Sequence, residues 1–202
     1  MFDSDLNEDA ERQKITRRAF LLSGSAAVAA IAAWSVHAVR APLATTVPSG
    51  PAPVVEIAEF SSTGISTGSV RVPKIVKSDA AWRQQLSANA FDITRRADTE
   101  VAYTGSYWNL HQQGIYRCIC CDTALFSSQT KFDSGTGWPS FWQPIAKENI
   151  HEISDFSLGM SRTEVRCRRC EAHQGHVFDD GPKPTGLRYC MNSVALRFVK
   201  IA

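Results

Sequence analysis

The sequence predicts a mainly β domain: antiparallel β-sheets with short peripheral helices. Three observations predict it. After Thr99, short apolar stretches such as Gly114-Ile-Tyr-Arg-Cys118 and Glu164-Val-Arg-Cys167 alternate with Gly, Pro, Asn and Asp punctuation. Val194–Val199 alternates its faces as a half-buried strand does. Cys118-x-x-Cys121 and Cys167-x-x-Cys170 have metal-knuckle spacing, and a metal clamp compensates for a modest core.

The elements follow in order. A chain of 202 residues has room for one ordinary domain plus a leader. Its 44% hydrophobic and 21% charged content excludes wholesale disorder, and a net charge of +2 gives no footing for nucleic acid or an anionic membrane. Residues 1–41 read as a signal segment. Arg17-Arg18 with Phe20-Leu21 opens an apolar run from Ala19 to Val36, ending in the cleavage-like Val36-His-Ala38 and Val39-Arg-Ala41. That pattern resembles a twin-arginine signal and predicts an exported, periplasmic protein. An uncleaved leader acting as membrane anchor is the alternative, since the run is near the ~18-residue lower limit for a span. Residues 42–69, with four prolines and then Ser61-Ser-Thr-Gly-Ile-Ser-Thr-Gly68, predict a mobile tether. The domain is expected over 70–202. Asp79-Ala-Ala-Trp-Arg-Gln-Gln-Leu86 predicts a short helix.

All six cysteines lie in the second half of the chain. Cys118, Cys121, Cys167 and Cys170 can complete a tetrahedron around one structural zinc per chain, a closed site with no position left for water. Disulfides are the alternative in an exported protein. Cys120 is then a spare thiol, because a C-x-C pair with Cys118 is the poorer geometry.

Cys190 stands in Gly186-Leu-Arg-Tyr-Cys-Met-Asn-Ser193. Arg188, two positions earlier on an extended chain, shares its side and is a cation able to favour a thiolate. On these residues alone, an inert buried cysteine remains the simpler reading. His173 and His176 can be metal ligands, polar surface or proton carriers; with four thiolates already available for metal, proton transfer suits them best. In Lys131-Phe-Asp-Ser-Gly-Thr-Gly-Trp-Pro-Ser-Phe-Trp142, Gly135 and Gly137 permit a tight turn. Trp138, Phe141 and Trp142 beside it can be core, or walls of a pocket for an uncharged thioether-like group.

Taken together these residues closely resemble the B-type, R-specific peptide methionine sulfoxide reductases. The resemblance is carried by Ser78-Asp-Ala-Ala-Trp82, Gly114-Ile-Tyr-Arg-Cys118, Lys131-Phe-Asp-Ser-Gly135 with Gly137-Trp-Pro-Ser-Phe141, Arg166-Cys-Arg-Arg-Cys170, Gly175-His-Val-Phe-Asp-Asp-Gly-Pro182 and Pro184-Thr-Gly-Leu-Arg-Tyr-Cys190. It runs from about Val72 to Phe198. It implies that Cys190 attacks the sulfoxide sulfur and becomes a sulfenic acid. His173 and His176 would position the substrate and protonate its oxygen, and Arg188 would favour the thiolate. Asn192 and Phe178 would shape and polarise the site, and Trp138 would hold the ε-methyl group. It also implies oxidised proteins or peptides as substrates and a thioredoxin-like external thiol as reductant; a monomer is the default expectation.

The chain departs from that pattern at Thr136, where many members carry a recycling cysteine. Direct reduction by an external thiol is expected, with Cys120 as resolving partner the weaker alternative. Glu171 and Gln174 stand where smaller or apolar residues are commoner, which bears on fine substrate preference. Two other classes compete. One is a zinc-ribbon module contacting phosphate through Arg166, Arg168 and Arg169; the other is a zinc hydrolase built on His173 and His176.

Overall fold

The computed structural model describes residues 50–157 and 161–201. The signal segment lies outside the described residues. Among those described, no helix is long and apolar enough to cross a membrane.

The strands are β1 (Val54–Phe60), β2 (Ser66–Pro73), β3 (Gly114–Cys118), β4 (Ala124–Ser127), β5 (Lys131–Phe132), β6 (Ser140–Phe141), β7 (Ile150–Asp155), β8 (Arg162–Cys167), β9 (His173–Phe178), β10 (Arg188–Met191) and β11 (Leu196–Lys200). Among the described residues, two helices, α1 (Asp79–Gln85) and α2 (Ala88–Arg96), precede β3. The strands form a β1–β2 hairpin, a three-stranded sheet in the order β11-β3-β4, and a six-stranded sheet in the order β5-β6-β10-β9-β8-β7. Every pairing is antiparallel. The mainly β architecture expected from the sequence is the one observed.

The two helices begin where serines can cap them. Ser78 accepts from the Ala81 N–H at 3.3 Å and Ser87 from the Ala90 N–H at 3.2 Å. They bury Trp82 and Phe91, worth roughly 1.5–3 kcal/mol each. Both helices are tied to the cysteine knuckles: Gln85 Nε2 donates to the Cys120 carbonyl at 2.7 Å, and Arg95 to the Cys170 carbonyl at 2.9 Å. Between the sheets Phe126 stacks on Phe141 at 4.5 Å, and Tyr116 meets Phe141 edge-on at 5.0 Å. Phe141 is therefore core.

The second half of the expected tether is structured instead. From Val54 onward the chain forms the β1–β2 hairpin, so the ordered region begins before Val70. Its composition is poor in apolar residues, but Ile57 is buried and its backbone is held from outside. Asn149, fully buried, accepts from the Ala58 N–H and donates to the Ala58 and Ala124 carbonyls at 2.7–2.8 Å. Arg117 donates to the Phe60 carbonyl at 2.7 Å. Such long-range staples are invisible to local composition.

Candidate active site

The two cysteine knuckles repeat one local design. The Cys118 carbonyl accepts from the Asp122 N–H at 2.9 Å, and the Cys167 carbonyl from the Glu171 N–H at 2.9 Å. The Cys118 N–H donates to the Thr123 carbonyl and the Cys167 N–H to the Ala172 carbonyl. Asp122 and Glu171 both take positive φ, closing each loop. The β3–β4 and β8–β9 turns thus bring Cys118, Cys121, Cys167 and Cys170 within 4.8 Å of one another, sulfur to sulfur. Cys118–Cys170 at 3.6 Å and Cys121–Cys167 at 3.4 Å are too far apart for disulfides. They lie near the edge of about 3.8 Å that four Zn–S bonds impose. Soft donors, tetrahedral spacing and an N–H from Gln174 Nε2 to Cys118 sulfur at 3.6 Å fit a structural zinc. Cys120 is buried against Cys118 and Cys170, so the spare thiol belongs to this cluster.

A second site is assembled on one face of the large sheet. Cys190 of β10 lies opposite Ser140 of β6 and His176 of β9, and His176 lies opposite Glu164 of β8. Directly opposed residues share a face, so these side chains meet. Tyr189 and Met191, the alternate residues of β10, enter the core.

His173 would face the other way on a regular strand. A β-bulge changes that: Val165 pairs with Gly175 and Arg166 with His173, leaving Gln174 as the extra residue. The His173 and His176 rings then stand 5.4 Å apart. Gly175 makes this possible. Its φ is 152°, and any Cβ there would collide with the Cys190 carbonyl oxygen.

Each histidine has a carboxylate partner. His173 Nδ1 is 2.6 Å from Glu164 Oε1, leaving Nε2 buried with no partner among the described residues. His176 Nε2 is 2.9 Å from Asp155 Oδ2, which also accepts from Arg162 at 2.7 Å. Burial pushes the Glu164 carboxyl up, but hydrogen bonds from His173 and Arg166 outweigh it and hold it at about 2. Asp155 is held well below the usual carboxylate range by the N–H and hydroxyl of Ser157, then by His176. Burial lowers the His176 imidazole against the pull of Asp155.

Cys190, His176, Asn192, Trp138 and Phe178 line one cavity of about 170 Å³, with Thr99, Arg162, Gly175 and Met191. His173 stands behind His176, off the cavity wall. Asn192 accepts from the Glu100 N–H at 3.0 Å and donates to the Gln174 carbonyl at 3.2 Å. Trp138 Nε1 donates to the Glu100 carbonyl at 3.1 Å. The Glu100 carboxylate in turn accepts from the N–H groups of Ser193 and Val194 at 2.6 and 3.0 Å, fixing the chain beyond Asn192.

Arg188 sits over the Phe178 ring at 4.4 Å, with both ends of its fork on Asp180 at 2.8 Å. Its charge is shared, and it does not decide the state of Cys190. Burial pushes that thiol up; Arg188, Thr136 and Ser140 pull it down without prevailing. Trp142 lies outside this cavity and lines a separate cleft with Tyr189. Glu171 pairs with Lys74 and Gln174 turns to the cysteine cluster, so neither lines the cavity where substrate preference was expected to be affected.

Asp155, Glu164 and Glu100 went unassigned in the sequence. For Glu164 the local signal is strand alternation, which places Arg162, Glu164 and Arg166 on one face; Glu100 lies outside any strand.

A SelR domain model matches residues 86–200. A peptide methionine sulfoxide reductase MsrB from Herminiimonas arsenicoxydans is 54% identical over 125 residues, 62% of this chain and 91% of the relative. One from Thioalkalivibrio sulfidiphilus is 58% identical over 120 residues, 59% and 88% of the two chains. One from Acinetobacter baylyi is 56% identical over 124 residues, 61% and 89%.

Proposed function

Because the chain belongs to the SelR-domain family and is a peptide methionine sulfoxide reductase, we propose that it reduces the R epimer of peptide-bound methionine sulfoxide with Cys190 as nucleophile. One observation carries this reading. Cys190 faces His176 across paired strands, inside a cavity closed by Trp138 and backed by two histidine–carboxylate pairs.

At rest the pair is neutral, since Cys190 is held above and His176 below their ordinary values. The thiol proton passes to the imidazole, whose cationic form Asp155 stabilises, and from it to the sulfoxide oxygen. The oxygen moves from the substrate sulfur to Cys190 sulfur. The substrate gains an electron pair and leaves as methionine, while Cys190 becomes a sulfenic acid. An external dithiol, thioredoxin-like in chemistry, then forms a mixed disulfide with Cys190 and releases water. Its second thiol frees Cys190 and carries away the oxidation as its own disulfide. Cys120 lies with the cysteine cluster and Thr136 carries no thiol, which supports external over internal reduction.

Trp138 would face the ε-methyl group while His176 takes the oxygen side, with His173 behind it. Methyl, oxygen and lone pair then have separate places, and one epimer is chosen. Zinc at the four cysteines would hold the two knuckles together and take no part in the chemistry. Arg17-Arg18 and the apolar run after them support export to the periplasm, where the protein would repair oxidised proteins as a monomer.

The test is single-epimer turnover with peptide-bound R- or S-sulfoxide and excess dithiol, beside Cys190→Ser. Reduction of the R form alone, lost in the variant, is expected. Turnover of the S form, or activity surviving in Cys190→Ser, overturns the reading.

A further inference from the structure

On the side of β10 opposite His176, Cys190 meets a line of hydroxyls. Thr136 Oγ1 lies 4.0 Å from Cys190 Sγ. Ser134 Oγ is 2.8 Å from Thr136 Oγ1 and 2.7 Å from Ser140 Oγ. Ser140 donates to the Trp138 carbonyl at 3.2 Å. Ser140 is fully buried, so the far end of the line is shut off from water.

Each hydroxyl carries one proton, whereas the carbonyl can only accept. That fixes the order of the line. Ser140 gives its proton to Trp138, Ser134 to Ser140, and Thr136 to Ser134. The Thr136 oxygen is left to accept from the Cys190 S–H. A thiolate has no proton to give, and against it the order must turn round. Thr136 then donates to sulfur, Ser134 to Thr136, Ser140 to Ser134, and the Trp138 carbonyl loses its donor.

We propose that Thr136, Ser134 and Ser140 form a polarity-reversing hydroxyl chain that favours the Cys190 thiol at rest and turns its donors toward sulfur when the thiolate forms. This rests on Cys190 being the nucleophile. Thr136 touches the reacting sulfur; Ser134 and Ser140 are positioning residues acting through it. The charged groups facing Cys190 are otherwise committed: Arg188 on β10 to Asp180, Arg162 on β8 and His176 on β9 to Asp155. Burial holds the Cys190 thiol up against the pull of Arg188, Thr136 and Ser140, so the S–H is the group the resting chain faces.

The chain makes one prediction that three independent donors would not. The readout is the pH dependence of alkylation at Cys190 in the zinc-loaded full chain, followed by peptide mass. Thr136→Val removes the donor at the sulfur end of the line, so the midpoint should rise, with about tenfold less thiolate at neutral pH. Ser134→Ala deprives Thr136 of its acceptor and frees its O–H for sulfur. The midpoint should fall, with roughly threefold to tenfold more thiolate. Thr136→Ser should keep the wild-type midpoint. Ser134 lies in a half-exposed turn away from the buried core, so its truncation should leave the fold intact. If Ser134→Ala raises the midpoint with Thr136→Val, or leaves it unmoved, the chain is overturned. Turnover by Cys190→Ser, measured separately, judges the nucleophile without touching this result.

Discussion

The chain holds cysteines in two opposite ways. At the knuckles, four sulfurs come from two short loops, each closed by its own backbone hydrogen bonds within a few residues. At the cavity, one sulfur is surrounded by groups from β6, β8, β9 and β10 and from the segment at Glu100. The first arrangement commits its four sulfurs to one another and buries the fifth, Cys120, beside them. The second leaves one sulfur facing open space, with its proton and its donors held by others. Thiols are made inert by satisfying them locally, and made useful by surrounding them with groups from far along the chain.

The sharpest way to break the contrast is to exchange losses. Cys190→Ser should cut turnover by about 10³-fold or more while zinc content and melting temperature stay unchanged. Cys167→Ser should do the reverse: lose the metal and unfold the domain, seen as loss of zinc together with the near-UV circular dichroism signal. If Cys167→Ser stays folded and active, the cluster is not the structural clamp described.

The next effect is smaller and lies between the two sites. Glu164→Gln should lower kcat by about tenfold to 10²-fold with little change in KM, because His173 loses the partner that fixes its tautomer. The same variant has a stability signature. Glu164 is depressed to about 2, so its contribution is full above the ordinary carboxylate range and fades as pH falls through about 2. Acid unfolding of Glu164→Gln should therefore begin at higher pH than wild type, and its stability should depend less on pH between 4.5 and about 2. The His176 depression predicts that the acid limb of kcat/KM lies below the ordinary histidine value. Replacing Asp155 by Asn should move that limb lower still.

Smallest of all should be the effect of Thr136→Cys. A thiol there stands beside Cys190, and one turnover without reductant should trap a disulfide between the introduced thiol and Cys190. Turnover with excess dithiol should change by no more than severalfold. Absence of the disulfide would mean that the turn at Gly135 and Gly137 holds position 136 too far from sulfur.

The same contrast explains what could be read from the sequence. The four metal ligands were legible because C-x-x-C spacing is itself the geometry of a knuckle. Helix α1 was legible from Asp79 and the apolar spacing after it, though Ser78 is the residue that caps it; Cys190, His176, Trp138, Phe178 and Asn192, named through the family resemblance, share one cavity. Asp155, Glu164 and the Ser134–Ser140 contact were not, since each depends on which strand pairs with which. The hairpin was missed for a related reason: Asn149, some ninety positions away, supplies what its own composition lacks. Arg188 was read too simply, because its claim on Cys190 is contested by Asp180 on the preceding loop.

The bulge at Gln174 has a consequence for chain length. Two histidines three apart normally look out of opposite faces of a strand; the extra residue makes the count come out even. A chain one residue shorter, lacking Gln174, would pair regularly and still turn both histidines toward Cys190. It would lose the side-chain N–H on Cys118 sulfur and the carbonyl that holds Asn192. The insertion therefore serves less to aim the histidines than to splice the metal knuckle to the cavity wall. A deletion there would leave each half intact and cut the joint between them.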